Sequence, residues 1–140
     1  MSDRITYDRP AIYERLVSEY GVFDSYVDMF VFAAAIGFRY GRKQSNEGGD
    51  KEMLWANIRY TEMYQTIASS IAYQETGNLD ILSDEQRQLE IMGEYAAGGI
   101  ELLANKFDGS GDPTVEIAEF VLEEGVSIQD DTESSLDGLI

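Results

Sequence analysis

The sequence has 140 residues, 44% hydrophobic and 11% aromatic, with 27 acidic against 10 basic side chains for a formal charge of −17. A chain of this size and apolar content buries a core without staples, so one folded domain is expected despite the charge. It contains neither cysteine nor histidine, which removes disulfides, thiol nucleophiles, zinc knuckles, the usual general base and every Ser-His or Cys-His constellation.

The opening MSDRITYDRP lacks the basic and apolar blocks of a signal peptide, and no later run approaches the roughly 20 apolar residues of a membrane span. The expectation is a soluble, cytoplasmic protein with no membrane partner. Arg4 to Tyr7 alternates polar and apolar residues and reads as a short strand. Pro10 suits the first turn of a helix that continues through Ile12, Tyr13, Leu16 and Val17 until Gly21 ends it. Asp24 or Ser25 caps a second helix, which stays apolar to about Phe38, and Gly41 breaks it before the loop QSNEGGD. EMLWANI fits a strand or the start of a helix. Tyr60 to Glu75 reads as helix with Met63, Ile67 and Ile71 in register, stopped by Thr76-Gly77-Asn78. Ser83 with Gln86 forms a capping box for a helix carrying Leu89, Met92, Ala96, Ile100 and Leu103. Asp112-Pro113 starts a last helix that Gly125 closes. The pattern predicts a mainly α fold: a compact bundle of about five helices with a short N-terminal strand. A single helical domain over 1–125, made of a strand-helix-helix segment 1–43 and an acidic helical part 51–125, precedes an acidic tail 126–140.

The charge is unevenly spread. Residues 1–43 hold six cations and six acids, so the remainder carries the entire −17. Arg39, Arg42 and Lys43 cluster where the negative end of a helix dipole welcomes cations, at about 0.3–1 kcal/mol each. A leading third relieved of negative charge also fits a surface that meets a polyanion. On that reading Arg4, Thr6, Arg9, Arg39, Arg42 and Lys43 are the candidate nucleic-acid contacts. The overall acidity fits either a halophilic-type surface or a mimic of DNA phosphates.

The second helix is apolar on nearly every face and must be enclosed by its own chain or by a second copy. Gly98 and Gly99 inside a later helix cost about 1 kcal/mol each relative to alanine. Close approach of another backbone, such as the alanine face of the second helix, is the expected compensation. Phe30, Ala33, Ala34, Gly98 and Gly99 are therefore the candidate oligomer or partner interface, and a homodimer is expected.

Metal and cofactor chemistry find little support. DGSGDPTVEIAE spaces oxygen ligands from Asp108 to Glu119 as a calcium loop does, but places Pro113 where that loop needs glycine. Glu90, Glu94 and Glu101 fall near one helix face without a histidine partner, as a solvated face does. No catalytic residue, metal or cofactor is expected.

Two resemblances follow from the motifs. A strand, a helix, a glycine turn and a longer apolar helix within 43 residues resemble the ribbon-helix-helix fold. That resemblance implies dimerisation through the strand and second helix, with Arg4 and Thr6 toward base edges and Ile5 and Tyr7 toward the core. FVFAAAIGFRYGRK, ETGNLDIL and IMGEYAAGGIELL, in this order over residues 10–107, resemble the dnd system-associated protein 4 family. This implies a role in DNA modification or restriction as antiviral defence, beside DNA phosphorothioation and other defence-system proteins, and does not imply an active site; double-stranded DNA is the partner expected from the cations. The expected function is a non-enzymatic accessory or regulatory DNA-associated protein. The alternatives are an adaptor docking on a larger modification or restriction subunit, and an acidic DNA mimic.

Overall fold

The computed structural model describes residues 3–46, 49–107 and 112–123. The chain forms two compact units, Met1–Asp108 and Gly109–Ile140. In the first, strand β1 (Arg4–Tyr7) is followed by α1 (Ala11–Glu14), which widens into a π-helical turn over Arg15–Glu19. Gly21 closes that turn at φ +61°, a conformation that suits glycine. α2 (Tyr26–Arg39) begins where Ser25 Oγ accepts the Asp28 amide at 3.1 Å, so of the two candidate caps Ser25 is used. β2 (Lys51–Leu54) and α3 (Trp55–Arg59) come next, so EMLWANI is a strand and then a helix. α4 (Glu62–Thr76), a 3₁₀ turn (Leu79–Ser83) and α5 (Glu85–Lys106) complete the unit.

β1 pairs antiparallel with β2, Arg4 opposite Leu54 and Tyr7 opposite Lys51. The opening keeps the order strand, helix, helix of a ribbon-helix-helix-like start, but its strand finds its partner inside the chain. The Trp55 amide donates to the Asp3 carbonyl at 2.9 Å, which makes Asp3/Trp55, Ile5/Met53 and Tyr7/Lys51 the hydrogen-bonded pairs. Tyr7 and Met53 are buried while Arg4, Thr6 and Glu52 face water, as the two-residue period requires. The Tyr7 ring meets Tyr13 and Phe30 edge-on, at 5.9 and 5.4 Å between centroids.

The most extensive helix contact joins α2 to α5. Its closeness is set by absent side chains. A β-carbon added to Gly99 would lie 1.8 Å from the Ala33 carbonyl oxygen, and one on Gly37 would lie 2.0 Å from that of Tyr95. The two backbones therefore touch directly, and the apolar faces of both helices close around them. Phe30, Ala33 and Ala34 are fully buried in this contact region of the single chain.

Two local readings shift. The cap of α5 is Asp84, whose carboxylate accepts the Arg87 amide at 3.1 Å, because Ser83 is consumed by the 3₁₀ turn. In α4 the buried stripe is Ala68, Ile71 and Ala72, so Met63 points outward instead of starting the apolar register. Gln88 ties this corner together: fully buried, it donates to the Ile81 carbonyl at 2.8 Å and accepts from Ser69 Oγ at 3.1 Å.

In the second unit residues 113–123 are helical, and the Asp112 carboxylate accepts the Thr114 amide at 2.9 Å. Gly125, residues 108–111 of the calcium-like loop and the 126–140 tail lie outside the described residues. No helix among the described residues is long and apolar enough to cross a membrane.

Glycine-to-alanine exchange should rank these contacts. Gly99→Ala must push two backbones apart and is expected to cost about 1–3 kcal/mol or more in urea unfolding. Gly93→Ala meets only the side chains of Asn46 and Ile5, which can turn away, and should cost clearly less.

Candidate functional site

α2 ends over α5, and the chain that leaves it is held to α5 by its backbone. The Arg42 amide turns back to the Gly37 carbonyl of α2 at 2.7 Å, and the Gln44 amide donates to the Glu94 carbonyl of α5 at 3.0 Å. Gly98 admits this crossing, since a β-carbon there would sit 2.3 Å from the Arg42 carbonyl oxygen. Between this segment, the outer edge of β1 and the start of α5 lies an open groove of about 550 Å³. Arg4, Ile5, Thr6, Lys43, Ser45, Gln86, Arg87, Glu90 and Glu94 line it.

Of the sequence-predicted contacts, the groove gathers Arg4, Thr6 and Lys43 and adds Arg87. Arg9 stands elsewhere: its guanidinium lies 3.9 Å from the Tyr26 ring centroid and donates to Tyr7 Oη at 2.9 Å. Arg39 closes α2 and Arg42 is exposed just beyond it. Phe30, Ala33, Ala34, Gly98 and Gly99 all serve the contact of α2 and its following segment with α5.

The groove's cations face carboxylates of the same chain. Arg4 Nη1 is 3.4 Å from Glu52, and Arg87 Nη1 is 3.9 Å from Glu94 and 4.0 Å from Glu90. These exposed pairs are weak, on the order of 0–1 kcal/mol. Lys43 is held more tightly, its Nζ 2.6 Å from Glu75 and 4.0 Å from Glu94, with the Tyr95 ring centroid at 5.8 Å. Tyr95 Oη donates to the other oxygen of Glu75. The Lys43 hydrogen bond, then that of Tyr95, holds the Glu75 carboxyl below its usual value, and the same bond to Glu75 raises Lys43. Burial, then the bond to Glu75, pushes Tyr95 up to about 12. A second such pair joins Tyr64, also pushed up to about 12 chiefly by burial, to Asp28. Among the described residues no group of three or more Asp or Glu is placed to hold a metal ion.

The backbone edge of β1 has a partner that residue spacing does not reveal. The Gln86 side-chain amide accepts the Arg4 N–H at 3.0 Å and donates to the Arg4 carbonyl at 2.9 Å, as a neighbouring strand would.

The sequence profile of the family described as DNA sulphur modification system-associated protein 4 matches residues 4–138. The chain belongs to this family. The match takes in the whole groove, every cation named above and both helices of the bare-backbone contact. No curated protein and no solved structure matches the chain. Glu75 and Arg87 escaped the sequence reading because Glu75 meets Lys43 across 32 residues and Arg87 looks like an ordinary surface residue of a first turn.

The Lys43–Glu75–Tyr95 junction sets a pH window. Glu75 is lowered, so its contribution is complete above the usual 4.5 and is lost as pH falls through its folded value. Lys43 and Tyr95 are raised, so theirs are complete below the usual 10.5 and 10.0 and are lost as pH rises past them. Glu75→Gln should lower the melting temperature by a few degrees near neutrality, and its curve should rejoin that of the parent in acid. Melting followed by circular dichroism across pH checks both.

Proposed function

We propose that the protein is a non-catalytic accessory component of a DNA sulphur modification system in antiviral defence, and that it docks on a larger modification or restriction protein. The observation that carries this reading is the internal use of its cations. Arg4 faces Glu52, Arg9 lies on Tyr26, Arg15 donates to the Phe107 carbonyl at 2.7 Å, and Lys43 is clamped by Glu75. Arg39 is engaged as well. Each must give up an internal contact before it meets a phosphate. A duplex approaching such cations gains little from counterion release, and the acidic excess of the chain opposes it. The most shifted tyrosines support the same reading. Burial raises Tyr13 furthest, and Tyr64 and Tyr95 are pushed up to about 12, all far from the range of an acid or base working near pH 7.

Direct contact with double-stranded DNA is the second reading. It rests on Arg4, Lys43 and Arg87 sharing one groove beside the exposed Arg42. Phosphates would then displace Glu52, Glu75, Glu90 and Glu94 from these cations.

Gel filtration of the full chain with each purified protein of the modification system, and separately with duplex DNA with and without phosphorothioate, distinguishes the two. Docking predicts co-elution with a protein component that persists as salt rises, unaffected by Arg42→Glu with Lys43→Glu. Retention by duplex alone, falling steeply with salt and abolished by the same charge reversal, would replace it with the DNA reading.

A further inference from the structure

The outer face of α4 breaks the charge pattern of the molecule. Residues 63–74 carry no charge, twelve positions in a chain with 27 acids. Other uncharged helical runs, 29–38 and 95–100, are mostly buried, whereas this one faces water along its length. Of the seven exposed large apolar side chains described in the first unit, Met63 (67%) and Tyr73 (41%) lie on α4, Tyr60 (92%) just before it, Leu79 and Leu82 on the turn that follows, and Tyr20 and Tyr40 elsewhere. Exposed apolar side chains on an uncharged helix face suit a contact surface.

The helix explains which residues form the face. Ala68, Ile71 and Ala72 turn inward, so Met63, Thr66, Ser70 and Tyr73, at spacings of three, four and three, fall together on the opposite side. The face reads large, small, small, large from either end. A second α4 laid antiparallel across it, with Thr66 opposite Ser70 of the other copy, sets Met63 opposite the other copy's Tyr73 at both ends. A thioether against an aromatic ring is a favourable pair. In the same register Glu62 falls opposite Gln74 and Glu75 opposite Thr61, so no two carboxylates oppose each other.

Charge selects the occupant. A different protein meeting a chain of −17 would gain by presenting cations to its acids. A second copy brings the same −17 and must avoid them, and only an uncharged face allows close approach. We propose that the protein associates as a two-fold symmetric dimer through the outer face of α4. A face that matches itself about a two-fold axis is what such a dimer requires. The arrangement is independent of the docking reading and leaves the groove at β1 and α5 open.

Sedimentation equilibrium of the full chain over a range of salt tests it. The expected result is a dimer that tightens as salt screens the two like charges. Met63→Glu or Ser70→Glu should weaken it about tenfold or more, with circular dichroism unchanged because both sites lie on the outer face. The parent chain contains no cysteine. An equal mixture of Met63→Cys and Tyr73→Cys chains should therefore form the mixed disulfide in preference to either self-pair. A monomer at all concentrations and salts overturns the proposal. So does a dimer indifferent to both charged substitutions, and so does preferential self-pairing of the Met63→Cys chains.

Discussion

The bare-backbone contact between α2 and α5 is the constraint on which the remaining geometry depends. Gly37 and Gly99 let carbonyl oxygens of the opposite helix occupy the space of a β-carbon. Helices this close leave no room for intervening side chains, so Ala33 and Ala34 sit at the seam and larger residues such as Phe30 and Met92 close around it. The same approach fixes where α2 ends. From there Gly98 lets the segment after α2 lie on α5, and Lys43 is delivered to Glu75 and Tyr95. The cation cluster is thus placed by packing of the helices behind it.

This placement gives the neutral leading third of the sequence a meaning in the folded chain. Most of its cations are engaged inside the molecule, Arg4 and Lys43 with Glu52 and Glu75 of the acidic remainder, Arg15 with the Phe107 carbonyl at the end of α5, and Arg9 with the Tyr26 ring, while Arg42 is exposed. Two of these contacts, Arg4 with Glu52 and Lys43 with Glu75, join cations contributed early to acids contributed late. Membership in the DNA sulphur modification system-associated protein 4 family places the chain beside DNA chemistry. On the proposed docking reading, cations already engaged inside the chain are less available to a phosphate backbone, with Arg42 left exposed. The proposed docking and the proposed self-association both turn on contact between proteins, and the latter uses the exposed uncharged face of α4.

Features specified by nearby residues were legible in the sequence. The β1 alternation, the Ser25 cap and the positive-φ stops at Gly21 and Gly77 each follow from a few adjacent positions. The Gly98-Gly99 pair was readable too, because an unfavourable choice in a helix interior demands a close neighbour. Features that depend on distant partners were hidden. β2 is a strand because β1, some 48 residues earlier, offers it an edge, and the local sequence fits helix as well. The outward turn of Met63 could not be read from its four-residue spacing to Ile67 and Ile71, since burial of Ala68 and Ala72 sets the rotation of α4. Gln86 reads as a capping-box residue, yet its amide is spent on the edge of β1. The groove depends on these long-range contacts, and so only its N-terminal cations were visible beforehand.

Native-state hydrogen exchange measures the central contact most directly. If the α2–α5 seam holds the fold, amides around Gly37 and Gly99 should be the slowest in the chain and should open together, with the free energy of global unfolding. Exchange of the α2 amides at a much lower free energy, while α5 stays protected, would contradict this account.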